Sequence, residues 1–194
     1  MTGEHAFNEV FFTDVRIPAD HLVGAEHGGW ELAKVTLGNE RVSLSGEGAL
    51  WGMGPTADDL VATVRSAGGA PDATTRDRLV DVFVESQILR VLRMRTVSAL
   101  LAGKAPGPEA SVRKAIADAH GQHVMDVARD LAGPHGMLEG SGPVGGWGPD
   151  GAAFGDNTWS RGFLFAPALT VGGGTSEVQR NIVAEKVLGL PRDP

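Results

Sequence analysis

The run Gly172, Gly173, Gly174, Thr175, Ser176, Glu177, Val178, Gln179, Arg180, Asn181 is the stretch of this sequence best suited to hold an anion. Consecutive glycines let a backbone approach a bulky ligand closely, and a helix starting directly after them aims free N–H groups and its positive dipole end at the loop. Ser176 is predicted as the N-cap and Gln179 as the answering side chain of a capping box. Val178, Ile182, Val183, Val187 and Leu188 recur at helical spacing, so this element buries one face while its first turn stays open to a ligand. The same residues also read as an ordinary flexible loop and helix cap.

Other chemistries are excluded. The chain has no cysteine, hence no disulfide framework, thiolate nucleophile or Cys-ligated metal, which fits a cytoplasmic protein. His5, His21, His27, His120, His123 and His135 show no compact metal-ligand spacing, so no metal is predicted. A net charge of −7 without a basic stripe argues against nucleic acid as a partner, and Arg90, Arg93 and Arg95 read as the solvated edge of a helix. No window approaches the ~20 apolar residues that cross a bilayer. The polar stretch from Met1 to Ala6 does not read as a signal peptide.

The elements that position the loop are mostly helical. Among 194 residues, 42% apolar and 21% charged residues suit a globular domain with a full core. Residues 8 to 17, with Phe11, Phe12 and Val15 ahead of Ile17 and Pro18, predict one or two short strands. After Gly28 and Gly29 the apolar spacing predicts a long helix through Leu50 and Trp51, interrupted at Gly52, Gly54 and Pro55 and resumed to Gly68. A second helix is predicted from about Thr74 to Leu101, a third from Pro108 to about Ala132 and a short one from Thr158 to Phe165. The glycine-rich stretch from Gly133 to Gly155 reads as a surface or ligand-facing excursion, where His135 and Trp147 have loop packing as their first role. Long antiparallel helices joined by Gly/Pro turns make a bundle.

Two stretches in the right order resemble the acyl-CoA dehydrogenase family. The string from Gly172 to Pro191, GGGTSEVQRNIVAEKVLGLP, is similar to its C-terminal signature, and Phe11 to Asp20 with Leu22, Val23 and Gly24 is similar to the segment that leaves its middle β-domain. The resemblance implies a mainly α fold: a C-terminal four-helix bundle (residues 26–194) preceded by the strand-bearing tail of the middle domain (residues 1–25). It implies FAD as cofactor, an acyl-CoA thioester as substrate and an electron-transfer flavoprotein or similar acceptor. A homodimer or homotetramer, or a hetero-oligomer, is the implied assembly.

The reaction so implied is oxidation to the 2,3-enoyl-CoA, in which a desolvated carboxylate removes the α-proton and the β-hydride goes to the flavin. In many members the base precedes the Gly-Thr pair of the signature, where this chain has Gly173. A minority, including enzymes similar to isovaleryl-CoA dehydrogenase, place it on the first long helix before an arginine; the matching pair here is Glu40 and Arg41. The resemblance therefore assigns Glu40 as general base and Arg41, Gly173 and Gly174 to the substrate, with Gly173 leaving room for branched or polycyclic acyl groups. For FAD it assigns Thr175, Ser176 and Glu177. Asp130 and Gly133 stand where the family has a glutamine and the first of two cofactor-contacting glycines. Arg65 is the nearest counterpart of a pyrophosphate-gripping arginine whose companion phenylalanine is missing.

Complete members are about twice as long, so the isolated chain is expected to bind FAD weakly and turn over little. The alternative function is a non-catalytic helical subunit that completes a partner's FAD site. Oxidase or monooxygenase chemistry on the same fold also stays open.

Overall fold

The computed structural model describes residue 2 and residues 8–43, 48–66, 71–104, 107–132 and 158–192. These residues form six α-helices: α1 (Gly29–Ser43), α2 (Ala57–Ser66), α3 (Ala73–Leu101), α4 (Glu109–Ala132), α5 (Thr158–Phe165) and α6 (Ser176–Ile182). A 3-10 turn, Ala166–Thr170, joins α5 to the glycine triplet, and a π-helical turn, Val183–Val187, extends α6. The fold is mainly helical, as predicted.

Local chemistry sets several ends. Thr56 and Asp59 cap α2 reciprocally: the Asp59 N–H donates to Thr56 Oγ1 at 3.1 Å and the Thr56 N–H to Asp59 Oδ2 at 2.8 Å. Asp72 caps α3 by accepting from the Thr75 N–H at 2.8 Å. Gly103 stops α3 in the left-handed region at φ +73°.

Helix α4 is the hub, packed against every other helix and against the 3-10 turn. Its C-terminal half buries Val124, Met125, Val127 and Ala128 against Leu50, Leu60, Leu79, Val82 and Leu169. Its N-terminal half buries Lys114, Asp118 and His120 instead. Two glycines allow the close approaches. A Cβ at Gly121 would collide with the Ala49 carbonyl, and one at Gly162 would come 2.5 Å from Met125 Sδ.

Two expectations need correction. Residues 8–18 form no strand: Phe11 and Phe12 are 81% and 79% exposed, and among the described residues no second backbone pairs with the segment. A strand exists only with a ladder partner. The long helix does not reach Trp51 either. Residues 48–53 form a tight hairpin turn in which Leu50 and Met53 exchange N–H···O bonds of 2.9 and 3.0 Å. Trp51 and Gly52 occupy its centre at φ +51° and +79°, the left-handed pair that a two-residue hairpin needs. The notch at Gly121 seats this turn on α4, which outweighs the helical spacing of Leu50 and Trp51. The stretch 133–155, with Gly133, His135 and Trp147, lies outside the described residues.

Candidate functional site

The glycine triplet leaves the 3-10 turn and enters α6 with Gly173 and Gly174 at φ +65° and +94°, a conformation open to glycine and strained for other residues. Gly172 lies against the six-membered ring of Trp51, where a Cβ would come 2.5 Å from Cη2. The N-cap is Thr175, one residue earlier than predicted; its Oγ1 accepts from the Val178 N–H at 3.4 Å. Thr175 and Ser176 are both cap-competent, and the left-handed Gly174 puts Thr175 at the point of entry.

Gln179 does not close a capping box. It is fully buried, and its Nε2 donates to the carbonyls of Gly173 at 3.0 Å and Gly174 at 3.2 Å. The glutamine thus holds the loop from beneath. Those two carbonyl acceptors fix which end of the amide faces the loop, and the Oε1 on the other end is buried with no hydrogen-bond partner. Gly173, Gly174, Thr175 and Ser176 remain half-exposed on the other side. Glu177 is exposed in the first turn of α6, its carboxyl held below the usual range by its own backbone N–H and then by the Thr175 hydroxyl.

The remaining predicted site residues are spread over the α4 frame. Both α1 and α6 pack on α4. Glu40 is exposed near the end of α1, and the Arg41 side chain lies outside what is described. Arg65 is exposed in the last turn of α2. Asp130 is exposed but already paired within the chain: its Oδ2 accepts from Arg78 at 2.9 Å and its Oδ1 from Arg129 at 3.1 Å. Arg78 first, then Arg129, holds its carboxyl below the ordinary aspartate range. The pair Arg78–Asp130 pins α3 to the end of α4.

Several residues of the region were not singled out from sequence. Trp51, read as helix core, backs the glycine triplet and meets Phe165 edge-on, ring centroids 5.3 Å apart. Trp51 also lines a cavity of about 300 Å³ between the 48–53 turn, α3 and α4, with Arg90, Arg93, Asp118 and His120 on its walls. Lys114 Nζ donates to Asp118 at 2.5 Å and to the Leu169 carbonyl at 3.2 Å, a buried ion pair that ties α4 to the 3-10 turn before the triplet. His120 and His123 both turn Nδ1 toward Glu85, at 2.9 and 3.1 Å. Their spacing of three residues on α4 was the available signal, readable only once α3 is known to lie alongside. Among the described residues no group has the arrangement of a metal site and no helix is long and apolar enough to cross a membrane.

Residues 27–188 match the profile of the acyl-CoA dehydrogenase C-terminal domain. The whole chain is 36% identical over 194 residues to the acyl-CoA dehydrogenase IpdE1 of Mycobacterium tuberculosis, covering 46% of that protein. It is 31% identical over 192 residues, 99% of the chain, to the acyl-CoA dehydrogenase FadE34 of the same organism, of which it covers 24%. Among solved structures it resembles the ChsE4-ChsE5 complex from Mycobacterium tuberculosis, with a TM-score of 0.72, 26% identity and coverage of 94% of this chain and 46% of that one. A variant of the Tcur3481-Tcur3483 steroid ACAD gives a TM-score of 0.77 at 25% identity, covering 94% of this chain and 46% of that one. The chain thus spans less than half the length of these relatives.

Proposed function

The chain belongs to the acyl-CoA dehydrogenase family, and we propose from that premise that it supplies the C-terminal half of an FAD-dependent enzyme oxidising an acyl-CoA thioester to its 2,3-enoyl-CoA. The observation that carries the reading is the half-exposed loop of left-handed Gly173 and Gly174, braced by Gln179 and followed directly by the Thr175 cap. In this reading residues 1–25 end a middle β-domain and residues 26–194 form the helical domain.

The fit to the cofactor rests on the loop. Thr175, Ser176 and Glu177 would hold the adenosine and pyrophosphate side of FAD, because the loop offers backbone and hydroxyl groups there without a bulky side chain. Asp130 fits less well, since Arg78 and Arg129 already occupy its carboxylate. When bound, the flavin supplies the acceptor for the β-hydride. Glu40 takes the α-proton of the thioester, Arg41 orients the acyl group, and Gly173 with Gly174 leaves room beside it. The absence of a side chain at Gly173 favours branched or polycyclic acyl groups over short straight ones. Glu40 is exposed in this chain, so its desolvation comes from substrate, cofactor and the rest of the enzyme. An electron-transfer flavoprotein or similar acceptor reoxidises the enzyme.

The test is the rate of flavin reduction by polycyclic and straight-chain acyl-CoA in the protein combined with the remaining half of the enzyme. Glu40→Gln is expected to keep its flavin and lose about 10²–10⁴-fold in that rate. An unchanged rate overturns the assignment of Glu40. The exposure of Glu40 favours one second reading, a helical module that completes a partner's FAD site without a base of its own. It predicts that mixing with the other half raises flavin content while Glu40→Gln has no effect.

A further inference from the structure

We propose that the cavity between the 48–53 turn, α3 and α4 binds a small organic carboxylate, its charged end on arginines of the two helices and its apolar body toward Trp51. This site is additional to the FAD and acyl-CoA chemistry of the preceding reading and does not depend on it.

The cavity measures about 300 Å³, room enough for a small ligand. Its helical walls are cationic. Arg90 and Arg93, three residues apart on α3, line it together with Arg113 of α4. The sequence reading put Arg93 on a solvated edge, yet it is half-buried against this space, and Arg113 is only 7% exposed. Three guanidinium groups brought to one poorly hydrated space repel one another. An anion among them lowers that cost, whatever else each arginine contacts.

The acids around the cavity, among the described residues, do not offset this charge. Asp118 on the α4 wall is matched by Lys114. Glu85 of α3 is held by His120 and His123, and Asp58 of α2 is exposed where it lines the cavity. Against the three arginines, Asp58 and Glu85 remove two charges and leave an excess of one with both histidines neutral, the charge that a single carboxylate matches. Arginine suits that group because its planar fork takes both carboxylate oxygens at once. The side formed by the turn and its neighbours is apolar, lined by Ala49, Trp51, Ala57 and Leu169. A bare inorganic anion leaves that side unused, and an uncharged hydrocarbon leaves the arginines unused. A compact acid with an apolar or aromatic body engages both.

The experiment is isothermal titration calorimetry of the 194-residue chain with benzoate at neutral pH and low salt, with far-UV circular dichroism to follow helix content. One benzoate is expected to bind per chain. Benzamide, which keeps the ring without the charge, and inorganic phosphate, an anion without a ring, are each expected to bind at least about tenfold more weakly. Arg90→Gln removes an exposed arginine and leaves no hole in the core, so it is expected to weaken benzoate about tenfold at unchanged helicity. Ala117→Leu fills the cavity from α4 and is expected to abolish binding; should it disturb the fold, Arg90→Gln decides. No benzoate binding, equal binding of benzamide or of phosphate, or unchanged affinity in Arg90→Gln overturns the proposal. None of these outcomes depends on flavin or on Glu40→Gln, so failure here is separate from failure of the enzymatic reading.

Discussion

Trp51 and Gly172 share one space: the six-membered ring of Trp51 occupies the volume that any side chain at Gly172 would need. Trp51 also sits at φ +51°, unusual for a bulky residue, so the hairpin holds it there against its own backbone preference. Gly172→Ala is therefore expected to destabilise the fold by about 1–3 kcal/mol through overpacking, and Trp51→Ala by about 3 kcal/mol through the cavity it leaves. Thermal melts check both. Combining the two substitutions tests the shared volume: the alanine at Gly172 fits once the ring is gone, so the double variant falls short of the sum of the singles.

Lys114 and Asp118 are each 3% exposed and depend on one another for compensation. Burial pushes the Asp118 carboxyl above its ordinary range, and the Lys114 ammonium opposes that shift. Lys114→Met leaves a buried carboxylate without its cation and is expected to cost about 3–5 kcal/mol at neutral pH. The loss shrinks as the pH falls, because a raised folded-state pKa contributes stability below the unfolded value that disappears as pH rises through it. The double variant Lys114→Met with Asp118→Leu is expected to recover most of the loss, as urea unfolding of the three proteins would measure.

The opposite sign applies at Arg78 and Asp130. Their pairing lowers the Asp130 carboxyl, so its stabilisation is present above the unfolded aspartate value of about 3.9 and fades as pH falls through the lower folded value. Wild-type protein is expected to lose more stability than Arg78→Ala on acidification from about pH 5 to pH 2, the two curves converging at the acid end. Parallel curves would show that the ion pair contributes nothing. The pair is more than a third exposed, so the difference shrinks in high salt.

How much of this was legible in the sequence follows the range of each interaction. Helices α2 to α5 were readable because local residues mark their ends: Pro55 before α2 and Gly68 after it, Gly103 after α3, Pro108 at the start of α4. The 48–53 turn was not, because it depends on Gly121, far along the chain, admitting the Ala49 carbonyl, while Leu50 and Trp51 keep helical spacing. Strands at residues 8–17 were overcalled because β-prone residues imply a strand only when another backbone lies beside them. At the site, the glycine triplet was evident, but the burial of Gln179 beneath it depends on how α6 lies on α4. Asp130 was assigned toward a cofactor from its place in the family resemblance, and its pairing with Arg78 was not legible because Arg78 sits on another helix.

Gln179 offers the cleanest separation of loop geometry from overall stability. Gln179→Leu removes the two bonds from Nε2 to the Gly173 and Gly174 carbonyls, a loss of about 0.5–1.5 kcal/mol each, and also removes Oε1, buried without a partner at about 1–3 kcal/mol. The two effects offset, so unfolding free energy is expected to stay within about 1 kcal/mol of wild type. The loop nevertheless loses the brace that holds two left-handed glycines in one shape. If that shape is what receives the anionic part of FAD, flavin affinity falls about tenfold while stability stays level. Titration of flavin fluorescence on the enzyme combined with its other half measures the affinity, and equilibrium unfolding of the same variant measures the stability. Unchanged affinity in Gln179→Leu would place the flavin away from the glycine triplet.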